Sequence, residues 1–380
     1  MNKREFVKYS SYLIGGTFLG TEGAATTPFF AEKKSKKKIR GRLELKFTPY
    51  TLQLKHAFNL ATSSRTTTPV MLTEIVYDGI TGYGEASMPP YLGESHESVA
   101  KFLSLLNLSQ FGDPFLLVDI LAYVDSVMPG NYAAKASVDI ALHDLIGKLV
   151  GEPFYKLFGL NPSKAPLTSF TIGLDTPEII RQKVAEAEPY KVLKVKLGGD
   201  NDRGIVEVIR SVTDKPLCAD VNQGWRDRSH ALEMAGWLKE KGVIFLEQPM
   251  PKEMKDDIAW LTQKSPLPIV GDEAIQNVAD LLVNRDVYSG INIKLMKCGG
   301  LNAAMKMINV ARAFNMKVMI GCMTETSCAV TAAAQLSPLV DWCDLDGNLL
   351  ISNDPFEGLR IVNGQVTIPV KPGIGVIKKS

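Results

Sequence analysis

The sequence predicts an α/β protein: a (β/α) barrel that carries a small α+β domain. Three observations predict it. Beyond Pro166, short apolar runs recur at 167–172, 192–197, 217–221, 243–247, 269–272, 291–296, 317–321 and 342–345, with amphipathic helices visible between them, as at 230–241 and 302–314. Apolar runs of strand length separated by helices are what a parallel sheet buried on both faces produces. Five ionisable residues, Lys196, Asp220, Glu247, Asp272 and Lys294, follow at intervals of 24, 27, 25 and 22. Each interval is about one βα unit and each residue sits at or just beyond a strand's C-terminal end, the end at which barrels of this kind place their sites. Ahead of the repeat, strand-like segments are followed by helices, which is the signature of a separate α+β unit.

The elements follow in order. Residues 1–30 open with Asn2-Lys3-Arg4-Glu5-Phe6-Val7-Lys8, continue through a short apolar, glycine-rich stretch at 12–19, and offer small residues at Gly23-Ala24-Ala25. This pattern predicts an export signal and no stable membrane insertion, the stretch being short for a span. It places the protein in the periplasm or outside, with a frayed tail on a cytoplasmic protein as the alternative. Residues 31–41 hold a lysine-rich run and read as a basic linker.

The α+β domain is expected over 42–160. Leu43, Leu45 and Phe47 alternate with polar residues, a Ser/Thr-rich segment at 62–68 reads as a loop, and strand character resumes at 70–77 before the Asp78-Gly79 turn signal. Val99, Phe102, Leu103 and Leu106 then take helical spacing, as do Ala134, Val138, Ala141, Leu142 and Leu145 within 133–150. The barrel is expected over 161–355, and 356–380 returns to strand and turn, folding back onto the first domain.

Composition narrows the function classes. Hydrophobic residues make up 45% and charged residues 22% of 380 residues, enough for a large core. A net charge of +2 asks for no nucleic acid. The five cysteines have no CxxC pairing and read as buried small hydrophobes, not as a disulfide or zinc framework.

The convergent set defines a chemistry. Asp220, Glu247 and Asp272, with no histidine or cysteine among them, describe an oxygen site for a hard cation, with magnesium favoured over zinc. Such an ion bridges a substrate carboxylate and neutralises the second negative charge that appears when the α-proton leaves. Lys196 and Lys294, on strands two and six, reach opposite faces of one carbon. That is the geometry of epimerisation, and it serves a syn elimination equally well. Lys194 points the same way as Lys196. Its charge lowers the pKa of Lys196, or it forms a salt bridge to a barrel carboxylate. Lys297 alternates out of phase and is left outside the site. Asn222, in phase with Asp220, holds the metal shell or its water; Glu273 points away from Asp272 and supports it from behind. Asp344 and Asp346 face the same side of the last strand, where a substrate ammonium would sit; a solvated turn is the alternative.

These residues resemble the enolase superfamily in its muconate-lactonizing branch, nearest to the dipeptide epimerases that act on L-Ala-D/L-Glu. The resemblance covers about residues 42–376. It rests on Lys194-Val195-Lys196, Asp220-Val221-Asn222, Glu247-Gln248-Pro249, Gly271-Asp272-Glu273 and 293–300, Ile-Lys-Leu-Met-Lys-Cys-Gly-Gly. It implies a modified (β/α)8 barrel, that is (β/α)7β, with an α+β capping domain built from the N-terminal region and the C-terminal tail. It also implies Lys196 and Lys294 as paired acid/bases, Asp220, Glu247 and Asp272 as Mg2+ ligands, and Asp344 with Asp346 as the grip on a dipeptide ammonium. Gly321-Cys322-Met323-Thr324-Glu325-Thr326-Ser327 resembles the family's seventh strand end and adds Met323 and Glu325 as substrate contacts.

One departure stands out. The family's specificity arginine falls near Ser63, with Arg65 two residues later; either Arg65 takes the role or the second residue of the dipeptide differs. The partner implied is a small dipeptide, which for an exported enzyme would be peptidoglycan-derived, and a homo-oligomer is an expectation from the resemblance alone. An o-succinylbenzoate synthase or muconate cycloisomerase is the alternative among enzymes, but such substrates bring no ammonium to Asp344 and Asp346. A non-catalytic binding protein has no need of two lysines about one metal.

Overall fold

The computed structural model describes residues 41–60 and 63–379. The export signal and most of the basic linker lie outside the described residues. No helix among the described residues is long and apolar enough to cross a membrane.

The chain first builds an antiparallel sheet from β1 (Glu44–Leu60), β2 (Ser63–Tyr77) and β3 (Ile80–Ser87). The Ser/Thr-rich segment expected as a loop is strand instead: Thr67 pairs with Gln53 and Thr68 with Leu52. Threonine is β-branched, and its stiff side chain fits a pleated strand as well as valine does. The register shifts between Gln53 and Phe58, and the pairing resumes with Phe58 opposite Arg65. The hairpin is therefore long, and Arg65 stands near its tip.

Helices α1 (His96–Ser104) and α3 (Tyr132–Val150) pack on this sheet, and α2 (Leu117–Val127) packs on α3. Ser95 starts α1 with a capping box, its side chain accepting the Ser98 N–H while the Ser98 hydroxyl accepts the Ser95 N–H. Helix α2 has no counterpart in the helical spacings of the sequence. Helix α3 lies so close to β3 that a Cβ at Gly84 would come within 1.9 Å of the Ser137 carbonyl oxygen. A side chain there would push sheet and helix apart.

The second unit is a parallel sheet of eight strands in chain order: β4 (Ser169–Ile172), β5 (Val192–Lys196), β6 (Leu217–Asp220), β7 (Val243–Glu247), β8 (Ile269–Gly271), β9 (Gly290–Lys294), β10 (Lys317–Gly321) and β11 (Trp342–Asp344). A parallel bridge from Thr168 to Cys343 brings the last strand back beside the first, so the sheet is nearly closed. Strand β9 is shorter than expected: it ends at Lys294, and Leu295–Cys298 is already helical. The register sets Lys196 beside Asp220 and Asp220 beside Glu247, and it sets Lys294 and Asp344 on either side of Gly321. Charged residues from all round the barrel thus share one level at its C-terminal mouth.

The tail packs against the first unit. Phe356–Glu357 pairs with Ile377–Lys378, Lys378 meets Glu74 at 2.6 Å, and the Ile374 N–H donates to Asp144 Oδ1 at 2.9 Å. The cap also grips the barrel directly. Glu85 of β3 accepts the Thr326 N–H at 2.9 Å, the Thr326 hydroxyl, and the Ala329 N–H at 3.3 Å, at the start of the helix Ser327–Ala334. The Ser87 hydroxyl donates to the Thr324 carbonyl at 2.8 Å. These bonds fix the segment 322–326, which leads into the barrel mouth.

Burial pushes the Glu85 carboxyl up to about 7, against the pull of its Thr326 and Ala329 hydrogen bonds. A carboxyl raised on folding contributes stability that is complete below its ordinary value of 4.5 and is lost as the pH rises through about 7. Comparing wild type with Glu85→Gln at about pH 5 and about pH 8 tests this. The difference in thermal midpoint is expected to move in the variant's favour at the higher pH. A difference that does not change with pH would contradict the assignment.

Candidate active site

Strands β5, β6, β7, β9 and β11 end on Lys196, Asp220, Glu247, Lys294 and Asp344, and Asp272 follows the end of β8 by one residue. Asp220, Glu247 and Asp272 are buried, and one oxygen from each lies within 4.8 Å of the others. Oxygen-only donors at this spacing suit a hard divalent cation, and neighbours hold each carboxylate in place. Asn292 donates its Nδ2 to Glu247 Oε1 at 2.6 Å. The Asn222 N–H reaches Asp220 Oδ1 at 3.1 Å. Gln248 accepts the Asp272 N–H at 3.0 Å and the Ala274 N–H at 3.2 Å, while its Nε2 donates to the Met250 carbonyl at 3.0 Å and to Tyr288 Oη at 2.8 Å.

Lysines balance the carboxylates. Lys196 Nζ lies 2.7 Å from Asp220 Oδ2, and Lys294 Nζ lies 2.7 Å from Asp272 Oδ2. Lys194 is wedged among three acids: Asp220 at 3.0 Å, Glu247 at 2.7 Å and Asp344 at 2.8 Å. Burial opposes its charge, but those carboxylates outweigh burial and hold Lys194 well above the ordinary lysine value. The salt-bridge alternative for Lys194 is the arrangement present. Burial likewise opposes ionised Asp220 and Asp272, yet Lys194 and Lys196 hold the first carboxyl well below its usual range, and Lys294 and Lys297 the second. Glu247 is pushed up to about 7 by burial and by Asp220.

Two expectations drawn from strand alternation need correction. Lys297 contacts Asp272 Oδ1 and also donates to the Asp272 carbonyl at 2.7 Å and the Asn292 carbonyl at 2.9 Å. Glu273 does not point away: it borders the cavity and accepts from Asn222 Nδ2 at 3.3 Å. Strand β8 has ended at Gly271 and β9 at Lys294, so two-residue alternation no longer governs either side chain.

Above the carboxylates opens a cavity of about 500 Å³. Lys194, Lys196, Asp272 and Lys294 form part of its floor, Asp344 and Asp346 part of its wall, and Arg65, Tyr91, Met323 and Thr324 reach it from the cap side and from beyond β10. Asp344 accepts from the Ser169 hydroxyl at 2.6 Å, and Asp346 accepts the Thr171 N–H at 2.8 Å. Burial and the nearby Asp344 push Asp346 up to about 6. Arg65 Nη2 is 3.5 Å from Thr324 Oγ1, and Tyr91 donates to Met323 Sδ at 2.9 Å. Of Ser63 only the backbone is described, paired with Leu60 at the hairpin end. Glu325 does not border the cavity. It is buried and turned back onto the Met323 N–H at 2.9 Å, where it braces the loop and contacts no ligand space. The five cysteines are free.

The sequence assigns no role to Gln248, Asn292 or Tyr91. Asn292 lies two residues before Lys294 on the same face of β9, so alternation points to it, whereas Gln248 directly follows Glu247 and alternation turns it away. Tyr91 comes from an irregular cap segment with no periodicity to mark it.

A nearly closed barrel with a hard-cation carboxylate triad, flanking lysines and an α+β cap defines an enolase-type enzyme. The model for the enolase C-terminal domain-like family matches residues 178–377, and that for the mandelate racemase/muconate lactonizing enzyme N-terminal domain matches 43–159. The chain belongs to this family, in the muconate-lactonizing and epimerase branch, beside the L-Ala-D/L-Glu-type dipeptide epimerases. It is 56% identical to an L-Ala-D/L-Glu epimerase of Bacteroides thetaiotaomicron, with 99% of each chain covered. The substrate-liganded L-Ala-D/L-Glu epimerase of Bacillus subtilis superposes with a TM-score of 0.83 at 27% identity, covering 89% of this chain and 99% of that one. A dipeptide epimerase of Cytophaga hutchinsonii, solved with Mg and D-Ala-L-Val, gives 0.82 at 25% identity, covering 90% and 96%.

The Asn292–Glu247 bond generates a prediction. Groups that orient a metal ligand are typically worth about ten- to a hundredfold in metal affinity. Calorimetric titration of Asn292→Ala with MgCl2 is expected to show a loss of that size. Unchanged affinity would mean that Glu247 needs no such support.

Proposed function

We propose that the protein is a magnesium-dependent epimerase acting on the α-carbon of the C-terminal residue of a dipeptide, of the L-Ala-D/L-Glu type, by two-base proton transfer through an enolate. One observation carries the reading: two buried lysines approach the same cavity from β5 and β9, each 2.7 Å from a different carboxylate of the triad.

Asp220, Glu247 and Asp272 would hold the ion. When bound, magnesium supplies positive charge against the substrate carboxylate, offsetting the negative charge that develops as the proton leaves, and it favours the neutral form of a nearby lysine. Neutral Lys196 or Lys294 takes the α-proton from one face. The opposite lysine, as an ammonium, delivers a proton to the other face and is left neutral, so the reverse turnover finds the pair in the complementary state. Lys194 stays charged within its three carboxylates and fixes the floor on which both lysines rest.

Asp344 and Asp346 suit the dipeptide ammonium, and Arg65 suits a second-residue side chain that carries a carboxylate. A lyase or cycloisomerase reading leaves both aspartates without a ligand. The leader supports export, with peptidoglycan-derived dipeptides as substrates. A homo-oligomer that binds no nucleic acid completes the proposal.

Incubation with Mg2+ and L-Ala-L-Glu in deuterated water tests the reading. The C-terminal α-proton signal is expected to disappear as the second diastereomer grows in, with no other carbon altered. Failure to exchange that proton in any member of a small dipeptide library would sink it.

A further inference from the structure

A second cavity, of about 290 Å³, adjoins the first. Thr171 and Leu350 wall both. The Thr171 N–H is also the donor held by Asp346 Oδ2 at 2.8 Å, so the partition between the cavities stands beside the proposed ammonium grip. On the far side, Leu54, Phe170, Tyr190 and Leu349 supply apolar walls, with the Phe170 and Tyr190 rings 4.6 Å apart. The charges at its edge are engaged elsewhere or open to solvent. Lys183 pairs with Asp175 at 3.1 Å, and exposed Glu186 accepts from Gln182 at 2.9 Å. Lys55 and His56 are exposed. A concave, mainly apolar space with a few polar groups at its mouth is the usual form of a side-chain subsite.

The geometry points to an occupant. In a dipeptide the ammonium and the N-terminal side chain leave the same carbon. A substrate whose ammonium sits on Asp344 and Asp346 therefore starts that side chain two bonds from the ammonium nitrogen, on the side of the site that holds the partition. We propose that the second cavity receives the side chain of the dipeptide's N-terminal residue, and that the enzyme accepts large apolar and aromatic residues there as well as alanine. This rests on the dipeptide epimerase reading above. Methyl-sized N-terminal residues stay in the first cavity; larger ones extend past Thr171 and Leu350 toward Tyr190.

The test measures kcat/KM for α-proton exchange in deuterated water, with Mg2+, on L-Ala-L-Glu, L-Leu-L-Glu and L-Phe-L-Glu. The wild-type protein is compared with Ala57→Trp, which fills the second cavity from the exposed hairpin, and with Tyr190→Ala, which enlarges it. Even a single methylene in an apolar pocket changes kcat/KM by about tenfold or more. Wild type is expected to process the leucine and phenylalanine dipeptides within about tenfold of the alanine one. Ala57→Trp should cut the two large substrates by more than about tenfold and leave L-Ala-L-Glu within about twofold. Tyr190→Ala should shift the preference between leucine and phenylalanine. If wild type turns over L-Ala-L-Glu but neither large dipeptide, or if both variants affect all three substrates equally, the second cavity is not the subsite. If no dipeptide exchanges at all, the epimerase reading falls and takes this inference with it.

Discussion

Everything in the barrel mouth depends on balancing buried negative charge. Asp220, Glu247, Asp272 and Asp344 are all buried, and each touches at least one of four buried lysines, Lys194, Lys196, Lys294 and Lys297. An unpaired carboxylate in such a place costs several kcal/mol, and removing one partner of a buried pair typically costs about 3–5 kcal/mol. The lysines proposed to move protons are thus also structural counter-ions. The site reconciles these demands by division of labour. Lys194 and Lys297 are held by several partners each and face inward, while Lys196 and Lys294 are each paired with a triad carboxylate and border the cavity.

That balance is possible because a barrel brings distant strands to one level. The parallel register puts Lys196, Asp220 and Glu247 in one row and Lys294 and Asp344 in the row opposite. Chemistry therefore resides in the barrel, whereas selectivity is assigned to the cap and to the loops that meet it. Arg65 reaches the cavity from a hairpin tip, Tyr91 from a short helical turn, and Met323 and Thr324 from a loop pinned by Glu85 and Ser87. The cap can vary its side chains without disturbing the charge balance beneath, which suits a family whose members differ in substrate.

Much of this was legible in the sequence because it follows from simple periods. Five ionisable residues spaced by one βα unit located the floor of the site, and apolar runs located all eight barrel strands. What escaped reading lay where periodicity stops. Glu273 and Lys297 follow the last residue of their strands, so alternation assigned them the wrong side. Residues 63–68 looked like a loop because threonine and serine are polar, yet their pairing with β1 makes them strand. Glu325 matched the family's pattern but points into the protein, since a motif fixes residue order and not rotamer. Helix α2 carries no polar face regular enough to mark it.

The central claim is that Lys196 and Lys294 address opposite faces of one carbon. Single replacements, Lys196→Ala and Lys294→Ala, assayed in deuterated water as folded proteins with Mg2+, test it most directly. Each variant should fail to interconvert the two epimers, and each should still exchange the α-proton of one epimer, a different one in each case. If both variants exchange the same epimer, or if either still epimerises its substrate, the two-lysine account is wrong.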